Sequence, residues 1–190
     1  MVRTVISDFS RTILFPRDPI AFIELNELHK REVAKAKNKN VFALNKEDFI
    51  LTEALYPLEE FFEINNSILQ LYKRLKSKGI SVILFTNSFI PTHPDIKEYM
   101  AVFDRIVNVT ELGNVTKKEA AAYKLLCEKY NIVASEAIFI DDDENCIKAA
   151  ASNGISTIQF PHIKAFTTVQ LYEELNNAVS KIEVEVDKLL

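Results

Sequence analysis

The chain has 190 residues, with 23 Lys and Arg against 27 Asp and Glu, for a net charge of −4. That length suits one domain with room for an insertion and a sizeable core. Only three glycines occur, where average usage of ~7% would give about thirteen; no P-loop or GxGxxG motif exists, which excludes P-loop hydrolysis and classical dinucleotide binding.

Residues 2–7 form a short, β-branched apolar run that predicts a first strand, ended by Asp8. Residues 17–62 then break the strand rhythm and hold no good strand. Asp18-Pro19 reads as N-cap and first position of a helix through about Lys37. Asn45 with Asp48 resembles a capping box opening another helix, which Tyr56-Pro57 ends. The expectation is a small all-helical insertion over residues 17–62, set into a core of residues 1–16 and 63–190. The basic run His29-Lys30-Arg31 with Lys35, Lys37 and Lys39 lies in it, as a solvated face or a greeting for an anion.

The core pattern resumes at residue 65. Residues 65–78 carry Ile68, Leu71, Tyr72 and Leu75 at helical spacing, with Asn65 or Asn66 as cap and Gly79 as stop. A strand follows over residues 80–86, and another over 103–109. Residues 117–130 predict a helix with apolar positions Ala121, Leu125 and Leu126. Residues 137–140 predict a strand, and 143–152 a helix with Cys146, Ile147, Ala149 and Ala150 inward. Gly154 repeats the stop before a strand over 155–160. A last helix begins near Thr167; residues 180–190 read as its end or as a frayed tail. Strands alternating with helices predict βαβ units and a parallel α/β sheet, covered on both faces.

Other classes drop out on simple grounds. No apolar stretch approaches the ~18 residues of a membrane span, and the N-terminus has no signal-peptide h-region. Cys127 and Cys146 form no CxxC and read as free thiols of a cytoplasmic chain. The three histidines have no metal-site spacing, and the acidic balance argues against nucleic acid.

In parallel sheets ligands bind beyond the carboxyl ends of the strands. Asp8 follows the first strand and Thr86-Asn87-Ser88 the second; Lys117-Lys118 precede a helix, and Asp141-Asp142-Asp143-Glu144 follow the fourth strand. A carboxylate nucleophile, a hydroxyl, an ammonium and an acidic cluster at one edge suit phosphoryl chemistry. Asp8 would attack phosphorus, Thr86 and the amides after it would hold phosphate oxygens, a lysine would offset charge, and the acidic cluster would hold Mg²⁺. Like charges ~4 Å apart repel by roughly 4 kcal/mol at an effective dielectric of 20, which a divalent cation relieves. Each piece also has a plainer reading: Thr86-Asn87-Ser88 as a turn, Lys118 in place of Lys117, Asp143 and Glu144 as helix caps.

Taken in order, these pieces resemble the haloacid dehalogenase-like superfamily, most of whose members are phosphatases. The carriers are the strand ending in Asp8, the strand ending in Thr86, Lys117, and Ile138-Phe139-Ile140-Asp141-Asp142, with Tyr123 six positions after the lysine. The resemblance implies an α/β fold, a three-layer Rossmann-like parallel sheet with a small all-helical cap at residues 17–62. It further implies an aspartyl phosphate on Asp8, phosphate contacts from Thr86, Asn87 and Lys117, and Mg²⁺ held by Asp8, the Ser10 carbonyl, Asp141 and Asp142, with a small phosphorylated molecule as substrate. The family motif D-x-D-G-T is here Asp8-Phe9-Ser10-Arg11-Thr12. Ser10 replaces the aspartate that protonates the leaving group, so turnover should be weak. Arg11 replaces the glycine, either as a phosphate contact at the pocket mouth or as a plain loop residue. The alternatives are a non-catalytic phosphate- or protein-binding relative and a metal-independent dehalogenase-like hydrolase.

Overall fold

The computed structural model describes residues 1–43, 48, 58–113, 115–164 and 167–190. Five parallel strands form the central sheet in the order β5-β4-β1-β6-β7: β1 (Thr4–Ser7), β4 (Ser81–Thr86), β5 (Arg105–Asn108), β6 (Ala137–Asp141) and β7 (Ser156–Gln159). Each falls within a predicted strand run, save that β6 extends one residue further, to Asp141. β1 lies in the centre, with Ser7 opposite Leu84 on one side and Ile140 on the other. That register brings Asp8, Thr86 and Asp141 to one carboxyl edge.

Side chains alternate across the sheet, and two apolar layers result. Val82 and Leu84 join one cluster, Ile83 and Phe85 the other. Helices α2 (Asn66–Ser77) and α5 (Thr168–Leu189) cover the first face through Ile68, Leu71, Leu75, Leu171, Leu175 and Ile182. Helices α3 (Ala120–Tyr130) and α4 (Glu144–Ala151) cover the second through Ala122, Tyr123, Leu126, Cys146, Ala149 and Ala150. A one-residue slip of any central strand would exchange these faces, so burial itself sets the register. The fold is the expected three-layer α/β sheet.

Several details depart from the sequence reading. α3 starts at Ala120, and Lys117-Lys118 lie in the turn before it. Its buried stripe is Ala122, Tyr123 and Leu126, while Ala121 and Leu125 face outward. The Tyr123 ring, edge-on to Phe85 at 5.7 Å and Phe139 at 5.1 Å, fixes that rotation. α5 runs to Leu189, with Val186 buried in its last turn, so residues 180–189 are the helix end rather than a frayed tail. Gly79 (φ 82°) and Gly154 (φ 79°) are the helix stops expected, each in the left-handed region.

On either side of the segment expected to be an insertion lies a feature that residue patterning did not predict. β2 (Leu14–Pro16) and β3 (Phe62–Ile64) pair antiparallel, Phe15 opposite Glu63. Three residues per strand are too few to show a period. Helix α1 (Pro19–Ala36) starts where Asp18-Pro19 predicted. The helix expected after Asn45 lies outside the described residues, except for Asp48, whose buried carboxylate meets Lys37 at 2.5 Å and Lys39 at 2.9 Å. Among the described residues, no helix is long and apolar enough to cross a membrane.

Asn65 joins the ribbon to the core. Its side chain accepts from Ile68 N–H at 3.2 Å, capping α2, and donates to the Thr12 carbonyl at 3.0 Å; its own N–H donates to Ile13 at 2.7 Å. Asn65→Ala removes the cap, worth ~1 kcal/mol, and strands a buried carbonyl, so a urea melt should show a loss of about 2–3 kcal/mol. Asp104 closes the other end of α2. Its carboxylate accepts from Val82 N–H at 2.8 Å and Ser81 at 3.1 Å and pairs with Lys76 at 2.7 Å. Partial desolvation opposes ionisation there, but these partners prevail and hold the carboxyl below its ordinary value. The stability it adds is therefore complete above pH ~4 and is lost as pH falls through the lowered native value. The gap between wild type and Asp104→Ala in urea midpoint should be wide at pH 7 and close as pH falls through that lowered value.

Candidate active site

The site sits where the register predicts, beyond the carboxyl ends of β1, β4 and β6. Asp8 is 6% exposed. Its N–H donates to Ile140 at 2.8 Å, which continues the β1–β6 ladder one residue and fixes the carboxylate direction. Behind it runs a buried hydroxyl chain: Tyr72 donates to Ser7 Oγ at 2.7 Å, and Ser7 donates to the Asp8 carbonyl at 2.7 Å. Burial drives the Tyr72 hydroxyl well above its ordinary pKa, so this chain stays protonated.

Lys117 decides the centre of the site. It is 2% exposed, and its ammonium meets both Asp8 Oδ1 and Asp141 Oδ2, the latter at 2.8 Å. Its Nζ lies 5.8 Å from the Phe85 ring centre and 5.5 Å from that of Phe139, and Tyr123 packs on both rings. Burial works against its charge, but the two carboxylates overcome this and push its pKa above the ordinary lysine value. Lys118, the alternative cation, is 59% exposed on its side chain and pairs with Asp143 at 2.8 Å. The choice between the neighbours is thus made by burial.

Asp8, Asp141 and Asp142 each offer a carboxylate oxygen within 4.8 Å of the others. Burial raises the Asp8 carboxyl most, opposed by the charge of Lys117. Burial and the charge of Asp141 also raise Asp142, against Arg11 and His162. Three crowded carboxylates against one ammonium leave negative charge that a divalent cation would offset. Such a set of buried oxygens fits a hard ion. Asp143 does what the plainer reading assigned to it: its side chain accepts from Asn145 N–H at 2.8 Å and caps α4. Asp141 Oδ1 accepts from Asp143 N–H at 2.8 Å, which orients it.

The remaining expected residues are placed differently. Thr86 is 1% exposed, and its Oγ1 accepts from Ser88 N–H at 2.9 Å, so residues 86–88 form a turn whose hydroxyl keeps its proton to donate. Asn87 is exposed. Ser10 is exposed beyond Asp8 and bridges to Leu14. The sequence reading missed His162, whose Nδ1 stands 3.9 Å from Asp142, and the Tyr72–Ser7 chain behind Asp8. Nothing local marks them: their partners lie far away along the chain.

A Rossmann-like α/β sheet with an acidic, lysine-centred site at its carboxyl edge defines a hydrolase-type fold. A family model of haloacid dehalogenase-like hydrolases matches residues 10–154. The chain belongs to that family. Among curated relatives, mouse "Acyl-CoA dehydrogenase family member 10" is 31% identical over 94 residues, 47% of this chain and 8% of that protein. Rat "Bifunctional epoxide hydrolase 2" is 26% identical over 134 residues, 67% of this chain and 24% of that protein. The chain thus spans only a small part of either relative. A family enzyme from Bacteroides thetaiotaomicron, solved with magnesium and inorganic phosphate, superposes with a TM-score of 0.60 at 15% identity, covering 89% of this chain and 99% of that one.

Removing the cation should expose its role. Lys117→Met leaves two buried carboxylates uncompensated, a change that typically costs about 3–5 kcal/mol. Without Lys117 the Asp8 carboxyl, already raised by burial, is driven higher, so stability falls as pH rises through that value. Urea unfolding in EDTA should show the larger loss at pH 8 and the smaller at pH 5.

Proposed function

We propose that the chain catalyses Mg²⁺-dependent phosphoryl transfer from a small phosphorylated molecule through Asp8. The observation that carries this reading is the convergence of Asp8, Asp141 and Asp142 within 4.8 Å around the ammonium of Lys117. The magnesium and phosphate bound by the Bacteroides enzyme support it.

An Asp8 oxygen attacks phosphorus while the bond from phosphorus to the leaving-group oxygen breaks, and the phosphoryl group rests on Asp8 as an acyl phosphate. Lys117 holds Asp8 and Asp141 in place and offsets their charge. Thr86 and the amides of the following turn receive phosphate oxygens. Mg²⁺, when bound, neutralises the phosphate and draws it to an otherwise negative edge. Its protein ligands would be Asp8, the Ser10 carbonyl, Asp141 and Asp142. Water then cleaves the acyl phosphate to return Asp8 and release phosphate.

Ser10 sets the pace. A serine hydroxyl is no acid at neutral pH, so the departing oxygen takes its proton from solvent. Good leaving groups, acyl and aryl phosphates, suit such a site. The insertion at residues 17–62 acts as a cap over the core of residues 1–16 and 63–190, with the β2–β3 ribbon as its stem. The free thiols Cys127 and Cys146 suit a reducing compartment, the cytoplasm.

Ser10 also favours a second reading, a relative that binds phosphate without turning it over. Turnover of an aryl phosphate with Mg²⁺ separates the two. The first reading expects slow release of phosphate that EDTA and Asp8→Asn abolish, and a gain of about 10²–10⁴-fold in Ser10→Asp. Mg²⁺ and phosphate binding with no Asp8-dependent release in either protein would establish the second.

A further inference from the structure

Arg11 stands where its backbone is poorly suited. Among the described residues, three that are not glycine have positive φ: Arg11 at 60°, Asn38 at 51° and Asn131 at 55°. Asparagine tolerates this region because its short amide bonds locally, whereas a long side chain gains nothing to offset the crowding of Cβ. The turn itself is closed by backbone alone. Arg11 N–H donates to Leu14 at 2.8 Å, and the N–H groups of Ile13 and Leu14 donate to Phe9 at 2.9 and 3.0 Å. Glycine would serve that turn better, so the turn itself gives no reason for an arginine here. Strain of this kind gathers at functional sites.

That side chain is exposed, and among the described residues no hydrogen bond or ion pair engages it. Its charge reaches Asp142, which it stabilises in the ionised form. It lines a cavity of about 190 Å³ with Phe15, Asp142, Pro161, His162 and Thr167, directly beside the acidic site. An apolar cavity of ~150 Å³ holds a benzene ring, so a leaving group of that size fits. Arg17, also on the wall, is committed elsewhere: it pairs with Glu63 at 3.2 Å and donates to the Phe62 carbonyl at 3.0 Å. Arg11 is the guanidinium left to meet a ligand.

Building on the phosphoryl-transfer reading, we propose that Arg11 determines specificity by receiving a second anionic group, carried on the leaving group of the substrate. The substrates are phosphate esters whose leaving group bears a carboxylate or a second phosphate, because the planar guanidinium fork matches either anion with two parallel hydrogen bonds. His162, across the cavity, stands beside that anion, and Phe15 packs on the ring or chain that carries it.

The test measures binding in an Asp8→Asn protein with Mg²⁺, so that turnover does not intervene. Titration calorimetry compares phenyl phosphate, 3-carboxyphenyl phosphate and 1,3-phenylene bisphosphate. One or both of the doubly anionic esters should bind about tenfold tighter or more than phenyl phosphate, and the tighter one identifies the anion. Adding Arg11→Gly should erase that preference while raising the melting temperature, because the turn relaxes; Arg11→Lys should keep part of the preference. Equal affinities, no binding of any ester, or a preference that survives Arg11→Gly would overturn the proposal. Asp8-dependent turnover is read separately on wild type. The phosphoryl-transfer reading can therefore fail while the binding preference stands, and the reverse is also visible.

Discussion

The ammonium of Lys117, buried between the carboxylates of Asp8 and Asp141, is the interaction on which the rest of this structure depends. Burying a single charge is costly, and burying three makes sense only if they face one another. That need explains the architecture around them. The Lys117 ammonium also stands over the Phe85 and Phe139 rings, with Tyr123 packed on both, so aromatic faces surround the charge on the side away from the carboxylates. The central position of β1 brings Asp8 within reach of β6. Asp142 brings a third carboxylate within 4.8 Å of this pair, so the edge stays rich in negative charge.

The same centre links fold and chemistry. Asp8 is held from behind by the Tyr72–Ser7 hydroxyl chain and from the side by the Ile140 carbonyl. These contacts engage its backbone and leave its carboxylate to Lys117. The cost appears elsewhere, in carboxyls raised by burial and in the left-handed turn at Arg11. Conflict between local preference and global arrangement is expected at a functional site rather than in the scaffold. Here the scaffold is consistent: caps at Asn65 and Asp143, glycine stops at Gly79 and Gly154, and clean alternation in β4.

Much of this was legible in the order of residues. The five parallel strands, the helices between them and the acidic edge follow from period, caps and strand ends, because each signal is local. Other features were not. The β2–β3 ribbon is too short to have a period. The inward stripe of α3 turned on where Tyr123 packs, between two strands that the local pattern cannot position. His162 is twenty residues or so past Asp142 with a whole βα passage between them.

The sequence by itself determined the class of fold, the edge of the sheet where the acidic residues gather, and the departure of Ser10-Arg11 from the resembled motif. Periodicity, capping and strand-end residues are properties of neighbours along the chain, and they survive without coordinates. Only the tertiary structure decided between Lys117 and Lys118, since two adjacent lysines differ in burial and not in identity. It likewise decided where Arg11 stands, in a left-handed turn on the wall of a cavity. A left-handed turn, a guanidinium that no described residue engages and a cavity beside Asp142 are relations among segments that only packing brings together.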